Sequence, residues 1–155
     1  MLTIVTGTGY TGRRVLWMLP PDSVIGLSRS EIDSDRAAHV FDLDDTAATL
    51  PLELPRDYAV IYTVPPAGDP PDRRLSKFLP LLQPAPARFV YISTTGVYGD
   101  RGGATVTEAT PVHPEHDRTR RRVAAEELLR DWAVQSNCKL IILRSPGIYG
   151  PGRLG

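Results

Sequence analysis

The stretch TGTGYTGRRV, residues Thr6 to Val15, contains three glycines in the spacing G-x-G-x-x-G. It follows a short β-branched segment, LTIV at Leu2 to Val5, and leads into a predicted helix, TGRRVLWMLP at residues 11–20. A strand, a glycine-rich turn and a helix in this order form the start of a βαβ unit that binds a pyrophosphate. Because glycine-rich turns are common, a turn without a ligand is the alternative.

Each glycine of this loop has a separate predicted role. Gly7 permits the tight turn, Gly9 lets backbone N–H groups approach the phosphates, and Gly12 lets the helix pack close to the strand. The phosphates would lie at the helix N-terminus, whose partial positive charge favours anions. The predicted cofactor loop also contains the intervening residues Thr8, Tyr10 and Thr11.

The rest of the chain alternates between apolar strands and helical stretches. A long helix is predicted from about Asp117 to Gln135, and two proline clusters at 65–72 and 81–88 are predicted loops. Nearly continuous apolar strands are typical of a sheet buried on both faces. The sequence therefore predicts an α/β fold with a doubly wound parallel sheet of the Rossmann type, as one domain over residues 1–155. The later predicted strands are SVIGLS (23–28), HVFDL (39–43), YAVIYTVP (58–65), RFVYIST (88–94) and KLIILRS (139–145).

Composition limits the classes of partner. The 155 residues, 41% of them hydrophobic, supply one core, and 18 basic residues balance 18 acidic ones. No overall field therefore attracts nucleic acid or a membrane surface. Cys138 is the only cysteine, which excludes an internal disulfide and a cysteine-rich zinc site, and no metal is expected. Without a signal-like N-terminus or a long apolar run, we expect a soluble, cytoplasmic protein.

The end of the second strand bears on which dinucleotide fits. NAD sites usually place an acidic residue there for the ribose 2′-OH, whereas this chain has Ser28 and Arg29. A guanidinium at this position makes charge-assisted bonds to a 2′-phosphate, which favours NADP and leaves NAD as the second cofactor. Two alternatives stay open: Arg29 is an exposed surface residue, or Glu31 serves a ribose hydroxyl.

Four segments together resemble the nucleotide-binding part of an extended or atypical short-chain dehydrogenase/reductase, in the NAD-dependent epimerase/dehydratase family. They span almost the whole chain. The resemblance implies an NADP(H)-binding oxidoreductase or a sugar-nucleotide epimerase-like enzyme. Because family members continue for a comparable length, it also implies that a C-terminal substrate lobe is missing, either because the sequence is a fragment or because a partner supplies this wall of the site. The four segments are VTGTGYTG (5–12), FDLDD (41–45), YISTTGVYGD (91–100) and LRSPGIYGPGR (143–153).

The resemblance also implies which residues contact the cofactor. Asp42 and Leu43 would lie beside the adenine, and Pro146 and Ile148 would lie along the nicotinamide ring. Asp42 as a helix N-cap or turn residue is the alternative. The implied contacts outside the glycine loop and the second strand are Asp42, Leu43, Thr63, Val64, Pro65, Ser93, Pro146 and Ile148.

Thr94 is the first candidate catalytic residue. In the family, a Ser or Thr three residues before V-Y-G hydrogen bonds to the substrate oxygen that is reduced or oxidised, and this position maps to Thr94. A hydroxyl at the carboxyl end of a parallel strand faces the ligand crevice. The alternative is a β-favouring threonine whose hydroxyl is satisfied by backbone.

The following helix departs from the family pattern. Relatives usually carry Tyr-x-x-x-Lys there, but HPEHDRTRRRVAAEELL (113–129) has neither residue type. If Glu126 matches the glutamate four residues after the lysine, the two positions fall on Arg118 and Arg122. Arginine does not exchange protons near neutrality, so the usual chemistry is in doubt.

Helical geometry places Arg118 and Arg122 on the apolar side, where they could hold a phosphate, a carboxylate or the charge of the cofactor. The alternative is a solvated charge run that pairs with Glu126, Glu115 or Asp117. The loop residues His113 and His116 are either solvated or a substitute acid or base.

Two classes of function remain. The first is an enzyme in which Thr94 polarises a small-molecule substrate and a water held by Arg118 or Arg122 completes proton transfer. The second is a catalytically inactive dinucleotide-binding module that acts as a redox sensor or structural partner. A sheet that lacks its last strand exposes an edge, so a homo-oligomer is a further expectation.

Overall fold

The computed structural model describes residues 1–32 and 35–153. These residues form a parallel sheet with three α-helices, and short 3₁₀ turns cover Pro21–Ser23 and Thr95–Tyr98. The strands are β1 (Leu2–Thr6), β2 (Val24–Ser28), β3 (Ala38–Val40), β4 (Tyr58–Tyr62), β5 (Arg88–Thr94) and β6 (Lys139–Ser145). The helices are α1 (Tyr10–Met18), α2 (Arg73–Leu81) and α3 (Asp117–Ser136).

The strand order is β3-β2-β1-β4-β5-β6, with every pair parallel. The chain runs outward from β1 to β3 and then returns to place β4 beside β1. This reversal opens a crevice at the carboxyl ends of β1 and β4, the position where open α/β sheets bind ligands. The order confirms the predicted doubly wound α/β fold.

Two apolar clusters pack the two faces of the sheet. Ile4 belongs to the larger cluster, which α2 and α3 cover, whereas its neighbour Val5 packs with Leu16 of α1. Successive residues of a strand point to opposite faces, so one short apolar strand supplies both clusters. The sheet is therefore held from both sides, and its carboxyl-terminal edge is fixed in position.

The helix α2 was not predicted, because it lies between the two proline clusters and contains Pro80. Leu75, Phe78 and Leu79 repeat at helical spacing and are buried, and Asp72 caps the helix by accepting a hydrogen bond from the Arg74 N–H at 3.0 Å. Pro80 lies in the last turn, near the end of the hydrogen-bond ladder.

Two predicted strands were too long at their carboxyl ends. HVFDL was predicted as a strand over 39–43, but β3 ends at Val40 and the buried Phe41 and Leu43 follow it in a loop. YAVIYTVP was predicted over 58–65, but β4 ends at Tyr62. In both places the first residue beyond the strand still donates a backbone hydrogen bond to the neighbouring strand, Phe41 to the Ser28 carbonyl at 2.6 Å and Thr63 to the Thr6 carbonyl at 2.9 Å, and the chain then leaves the sheet.

Candidate functional site

A cleft of about 910 Å³ lies along the carboxyl ends of the strands. Apart from the two candidate histidines, it brings together every predicted site residue except Gly12, which is buried beneath the glycine loop. The predicted residues that line it are Gly7, Thr8, Gly9, Tyr10, Thr11, Ser28, Arg29, Asp42, Leu43, Thr63, Val64, Pro65, Ser93, Thr94, Arg118, Arg122, Pro146 and Ile148.

The three glycines meet three different surroundings. Gly7 has φ +89°, and a Cβ there would lie 2.6 Å from the Val64 side chain. A Cβ at Gly12 would lie 1.9 Å from the Gly7 carbonyl oxygen, whereas one at Gly9 would meet no atom within 4 Å. Packing therefore requires the outer two glycines, while Gly9 borders open space at the start of α1.

Two buried hydroxyls in the cleft have no partner. Thr6 is 1% exposed and Thr8 is 6% exposed, and among the residues that the structure describes neither Oγ1 atom has a hydrogen-bond partner. Both residues line the cleft beside the glycine loop. Buried polar atoms are normally hydrogen bonded, so these hydroxyls are suited to a ligand or an ordered water.

The part of the cleft that follows β2 and β3 is lined by both positively and negatively charged side chains. Arg29 and Glu31 are exposed and line it, and within the described residues Arg29 has no hydrogen bond or ion pair. Asp42 accepts a hydrogen bond from the Asp44 N–H at 2.9 Å, so its carboxylate forms the local turn that was its alternative role. The residue still lines the cleft, and Leu43 beside it is buried.

The sequence did not indicate Arg74, which ties together two loops of the cleft. Its Nε lies 3.0 Å from Asp44 Oδ1, and its Nη1 donates to the Pro65 carbonyl at 3.3 Å. The hydrogen bond from Arg74 lowers the pKa of Asp44 to about 2. Because Arg74 lies on the unpredicted helix α2, no pattern in the sequence placed it here.

Ser93 and Thr94 use their hydroxyls differently. Ser93 Oγ donates to Glu126 Oε1 at 2.6 Å, so its hydrogen is engaged by a buried carboxylate. Thr94 Oγ1 accepts from the Gly96 N–H at 3.2 Å, which leaves its own hydrogen available. Backbone thus satisfies only the acceptor side of Thr94, and the hydroxyl can still donate into the cleft.

Arg118 and Arg122 line the cleft, and Arg120 does not. Arg122 donates from Nη1 to Tyr91 Oη at 3.0 Å and to the Ile92 carbonyl at 2.9 Å. Arg118 is exposed and, within the described residues, makes no hydrogen bond or ion pair. Among the residues that the structure describes, neither Arg118 nor Arg122 pairs with Glu126, Glu115 or Asp117, which was the alternative; Asp117 instead pairs with Arg120, whose Nη1 lies 2.8 Å from its Oδ1.

Glu126 is completely buried beneath the cleft. Arg144 donates to it from Nε at 3.1 Å and from Nη2 at 2.7 Å, and Arg130 donates at 3.0 Å. Burial acts to raise the pKa of Glu126, but hydrogen bonds from Arg144 and Ser93 outweigh it and hold the pKa below its usual range. A lone arginine in the apolar strand KLIILRS, with a glutamate on the inner face of α3, is the signal that would have revealed this pair.

The segment after β6 lies against the glycine loop. The guanidinium of Arg14 lies 3.5 Å from the centre of the Tyr10 ring, and that of Arg153 lies 5.2 Å from it. Arg14 also donates to the Pro151 carbonyl at 3.1 Å. Arg153 and Arg13 line the cleft, and neither was predicted to do so.

His113 and His116 are outside the residues that line the cleft. The side chain of His113 is 71% exposed, and its Nδ1 lies 3.8 Å from a carboxylate oxygen of Glu115. The geometry therefore matches the solvated alternative for His113.

Within the described ranges, no helix is long and apolar enough to cross a membrane.

Comparison with known proteins adds a family match and a fold match. The model of the NAD dependent epimerase/dehydratase family matches residues 3–154. No curated protein matches the chain.

Three solved structures illustrate the fold match. A short-chain dehydrogenase/reductase superfamily protein from Agrobacterium tumefaciens with bound NAD is 24% identical, with a TM-score of 0.71 over 93% of this chain and 48% of its own. UDP-glucuronic acid 4-epimerase from Bacillus cereus in complex with NAD is 18% identical, with a TM-score of 0.71 over 97% of this chain and 58% of its own. RMD from Pseudomonas aeruginosa complexed with NADPH is 21% identical, with a TM-score of 0.72 over 99% of this chain and 56% of its own. This chain therefore spans about half the length of these proteins, and at such identities the likeness shows the fold alone.

Proposed function

Because this chain belongs to the NAD dependent epimerase/dehydratase family, we propose that its cleft binds a nicotinamide dinucleotide and serves an oxidoreductase or sugar-nucleotide epimerase-like reaction. The observation that carries the proposal is the glycine loop at the reversal of strand order, where α1 begins beside open space. This is the position at which α/β sheets bind a pyrophosphate.

The residues present fit such a ligand. Gly9 offers no side chain where the phosphates would approach, and the first N–H groups of α1 point out of the helix end. The unpartnered hydroxyls of Thr6 and Thr8 would hydrogen bond to the ligand or to its waters. When bound, the dinucleotide would supply a hydride donor or acceptor.

NADP(H) is the proposed preference. Arg29 lines the cleft after β2 without an internal partner among the described residues, so its guanidinium is available to a 2′-phosphate. Two of the three structures described above hold NAD and the third holds NADPH, so the fold alone does not decide the preference. Glu31, which also lines the cleft, is the residue that would favour NAD instead.

The remaining cofactor contacts follow the strand order. Asp42 and Leu43 would flank the adenine beside β2, and Thr63 to Pro65 would run along the middle of the dinucleotide. Pro146 and Ile148, after β6, would lie along the nicotinamide ring. All of these residues line one continuous cleft.

Thr94 is the proposed contact to the reacting oxygen of the substrate. Its hydroxyl accepts from backbone, so its hydrogen is free to bond to a carbonyl or hydroxyl group in the cleft. In the alignment that matches Glu126 to the family glutamate, Arg118 and Arg122 take the positions of the tyrosine and the lysine, and they do not exchange protons near neutrality. A water held by either arginine would then transfer the proton that accompanies hydride movement.

A second function is dinucleotide binding without turnover, as a sensor or structural partner. The observation that favours it is that Arg118 and Arg122 line the cleft at the proposed catalytic positions, while neither His113 nor His116 is among the lining residues. A group that titrates near neutrality is the usual acid or base in such reactions.

One experiment separates the two functions. The full chain is titrated with NADPH and NADH by fluorescence, and NADPH consumption is then followed with a panel of carbonyl compounds and sugar nucleotides. Binding with consumption supports the enzyme, and binding without any consumption supports the sensor. Absence of dinucleotide binding to the folded protein would refute both.

A further inference from the structure

We propose that Arg118 and Arg122 form a binding site for an oxyanion group of the substrate, a carboxylate or a phosphate, beside Thr94. This inference rests on the proposed dinucleotide function of the same cleft. It names the chemical class of the second ligand.

The cleft is divided by charge. At the ends of β5 and β6 the described lining consists of residues 92–95 and 145–148 with Arg118 and Arg122, a set with two guanidinium groups and no carboxylate. A third arginine that follows β6, Arg153, also lines the cleft, but it lies over the Tyr10 ring of the glycine loop. The carboxylates that line the cleft are Glu31, Asp42 and Asp44, and they follow β2 and β3 on the opposite side of the strand reversal. The side of the cleft at the ends of β5 and β6, where Thr94 would contact the substrate, is called the substrate side below, and it is cationic in a chain whose formal net charge is zero.

The charge of Arg122 is not neutralised by its contacts. Both of its hydrogen bonds go to neutral groups, the Tyr91 hydroxyl and the Ile92 carbonyl. The carboxylate one turn further along α3, Glu126, is occupied by Arg144 and Arg130 instead. A partly buried guanidinium without a counter-charge is costly, so this site favours an anion.

Arg118 lies one turn before Arg122 on the same face of α3. It lines the cleft, and among the described residues no side chain or carbonyl satisfies its guanidinium. A planar guanidinium binds carboxylate and phosphate groups through two parallel hydrogen bonds. One arginine is thus held in place by the strand end, and the second is free to close on a ligand.

The neighbouring hydroxyl narrows the ligand class. Thr94 has a hydrogen available for a carbonyl or hydroxyl oxygen, and it lines the same side of the cleft as the two arginines. A compound that binds both the Thr94 hydroxyl and the two arginines carries a carbonyl or alcohol group near an acidic group. The phosphates of a dinucleotide would lie at the glycine loop after β1, away from β5 and β6 in the strand order.

The test uses two probe anions on the full chain. Oxamate, which carries a carboxylate beside a carbonyl, and inorganic phosphate are titrated by calorimetry at constant ionic strength, with and without saturating NADPH. We expect Arg118→Met to lower the affinity for whichever probe binds the wild type more tightly by about tenfold or more, the loss expected for one charge-assisted contact. NADPH affinity should be unchanged. Arg120→Met is the matched control, because it removes the same charge from α3 outside the cleft.

Arg122→Lys is the second variant, because it keeps the charge while losing the two-point geometry. Weaker probe binding in Arg118→Met and Arg122→Lys, but not in Arg120→Met, supports the site. This holds even if NADPH does not bind, a result that would refute only the proposed function. Equal probe binding by wild type and Arg118→Met overturns the site, as does an equal loss in Arg120→Met. A loss of NADPH affinity alone in Arg118→Met also overturns it, because the charge would then serve the cofactor.

Discussion

Glu126 and Arg144 form a two-point ion pair that joins α3 to β6, with Nη2–Oε2 at 2.7 Å and Nε–Oε1 at 3.1 Å. The same carboxylate accepts from Ser93 at the end of β5, and Arg144 donates to the Tyr98 hydroxyl at 2.8 Å. One buried pair therefore connects the elements that carry the substrate side of the cleft.

Breaking this pair should destabilise the protein strongly. Arg144→Met leaves the buried Glu126 carboxylate with only Arg130 and Ser93, and losing one partner of a buried ion pair costs about 3–5 kcal/mol. Urea unfolding followed by circular dichroism measures the change in the free energy of unfolding. Glu127→Gln, at an exposed position on the same helix, is the control and should change it by less than about 0.5 kcal/mol. A loss in Arg144→Met no larger than that would contradict the importance of the pair.

Stability should fall in acid because two carboxyl groups have lowered pKa values in the folded protein. Asp44 has a pKa of about 2, and Glu126 lies below its usual range. Each group adds stability above its unfolded pKa of about 4, and the gain is lost as the pH falls through the folded value.

Unfolding free energies measured from about pH 6 to pH 2 test this sign. We expect the curve of Asp44→Asn to be flatter than that of wild type below about pH 4, because the variant has one fewer carboxyl group to protonate. Asp22→Asn, at an exposed position, should keep the wild-type slope. Parallel curves for wild type and Asp44→Asn would contradict the lowered pKa of Asp44.

Arg29→Ala should reduce affinity for NADPH and leave that for NADH almost unchanged. The lost charge-assisted contact to the 2′-phosphate is worth on the order of 1.5–3 kcal/mol. Fluorescence titrations with each cofactor measure the two affinities, and Arg56→Ala, an exposed position outside the cleft, is the control. An equal loss for both cofactors would assign Arg29 to a contact other than the 2′-phosphate.

The glycine loop offers a matched pair of variants. Gly9→Val should abolish dinucleotide binding with an unchanged far-ultraviolet spectrum, because the new side chain enters open space beside the start of α1. Gly12→Val should lower stability instead, because its Cβ would overlap the Gly7 carbonyl. Binding and thermal unfolding of the two proteins separate these effects. Full dinucleotide affinity in folded Gly9→Val would mean that the loop is only a turn.

Local patterns were sufficient to predict the sheet and the glycine loop, whereas most other residues of the cleft were predicted from the resemblance to the family. The alternation of apolar strands predicted a doubly wound sheet, and the strand order confirms it. The bounds of β5 were predicted without error, and those of α3 to within one residue. These features depend on short-range periodicity and on glycines whose backbone geometry is local, so they can be read along the chain.

Local patterns failed where proline obscured a helix. The apolar spacing of Leu75, Phe78 and Leu79 indicates α2, but the flanking prolines and Pro80 favoured a loop. Tertiary packing outweighs the cost of a proline in the last turn, because the helix buries these three side chains against the sheet.

Sequence alone determined the doubly wound fold class and the glycine loop, since each follows from neighbours in the chain, and the resemblance to the family made the Thr94 hydroxyl a candidate. Only the tertiary structure decided the partners of the charged groups. Glu126 pairs with Arg144, 18 residues away, and Asp44 with Arg74, 30 residues away. Charge pairing depends on which side chains the fold brings within hydrogen-bond distance. One helical turn separates the buried Glu126 from Arg122, which has no carboxylate partner in the part of the chain that the structure describes.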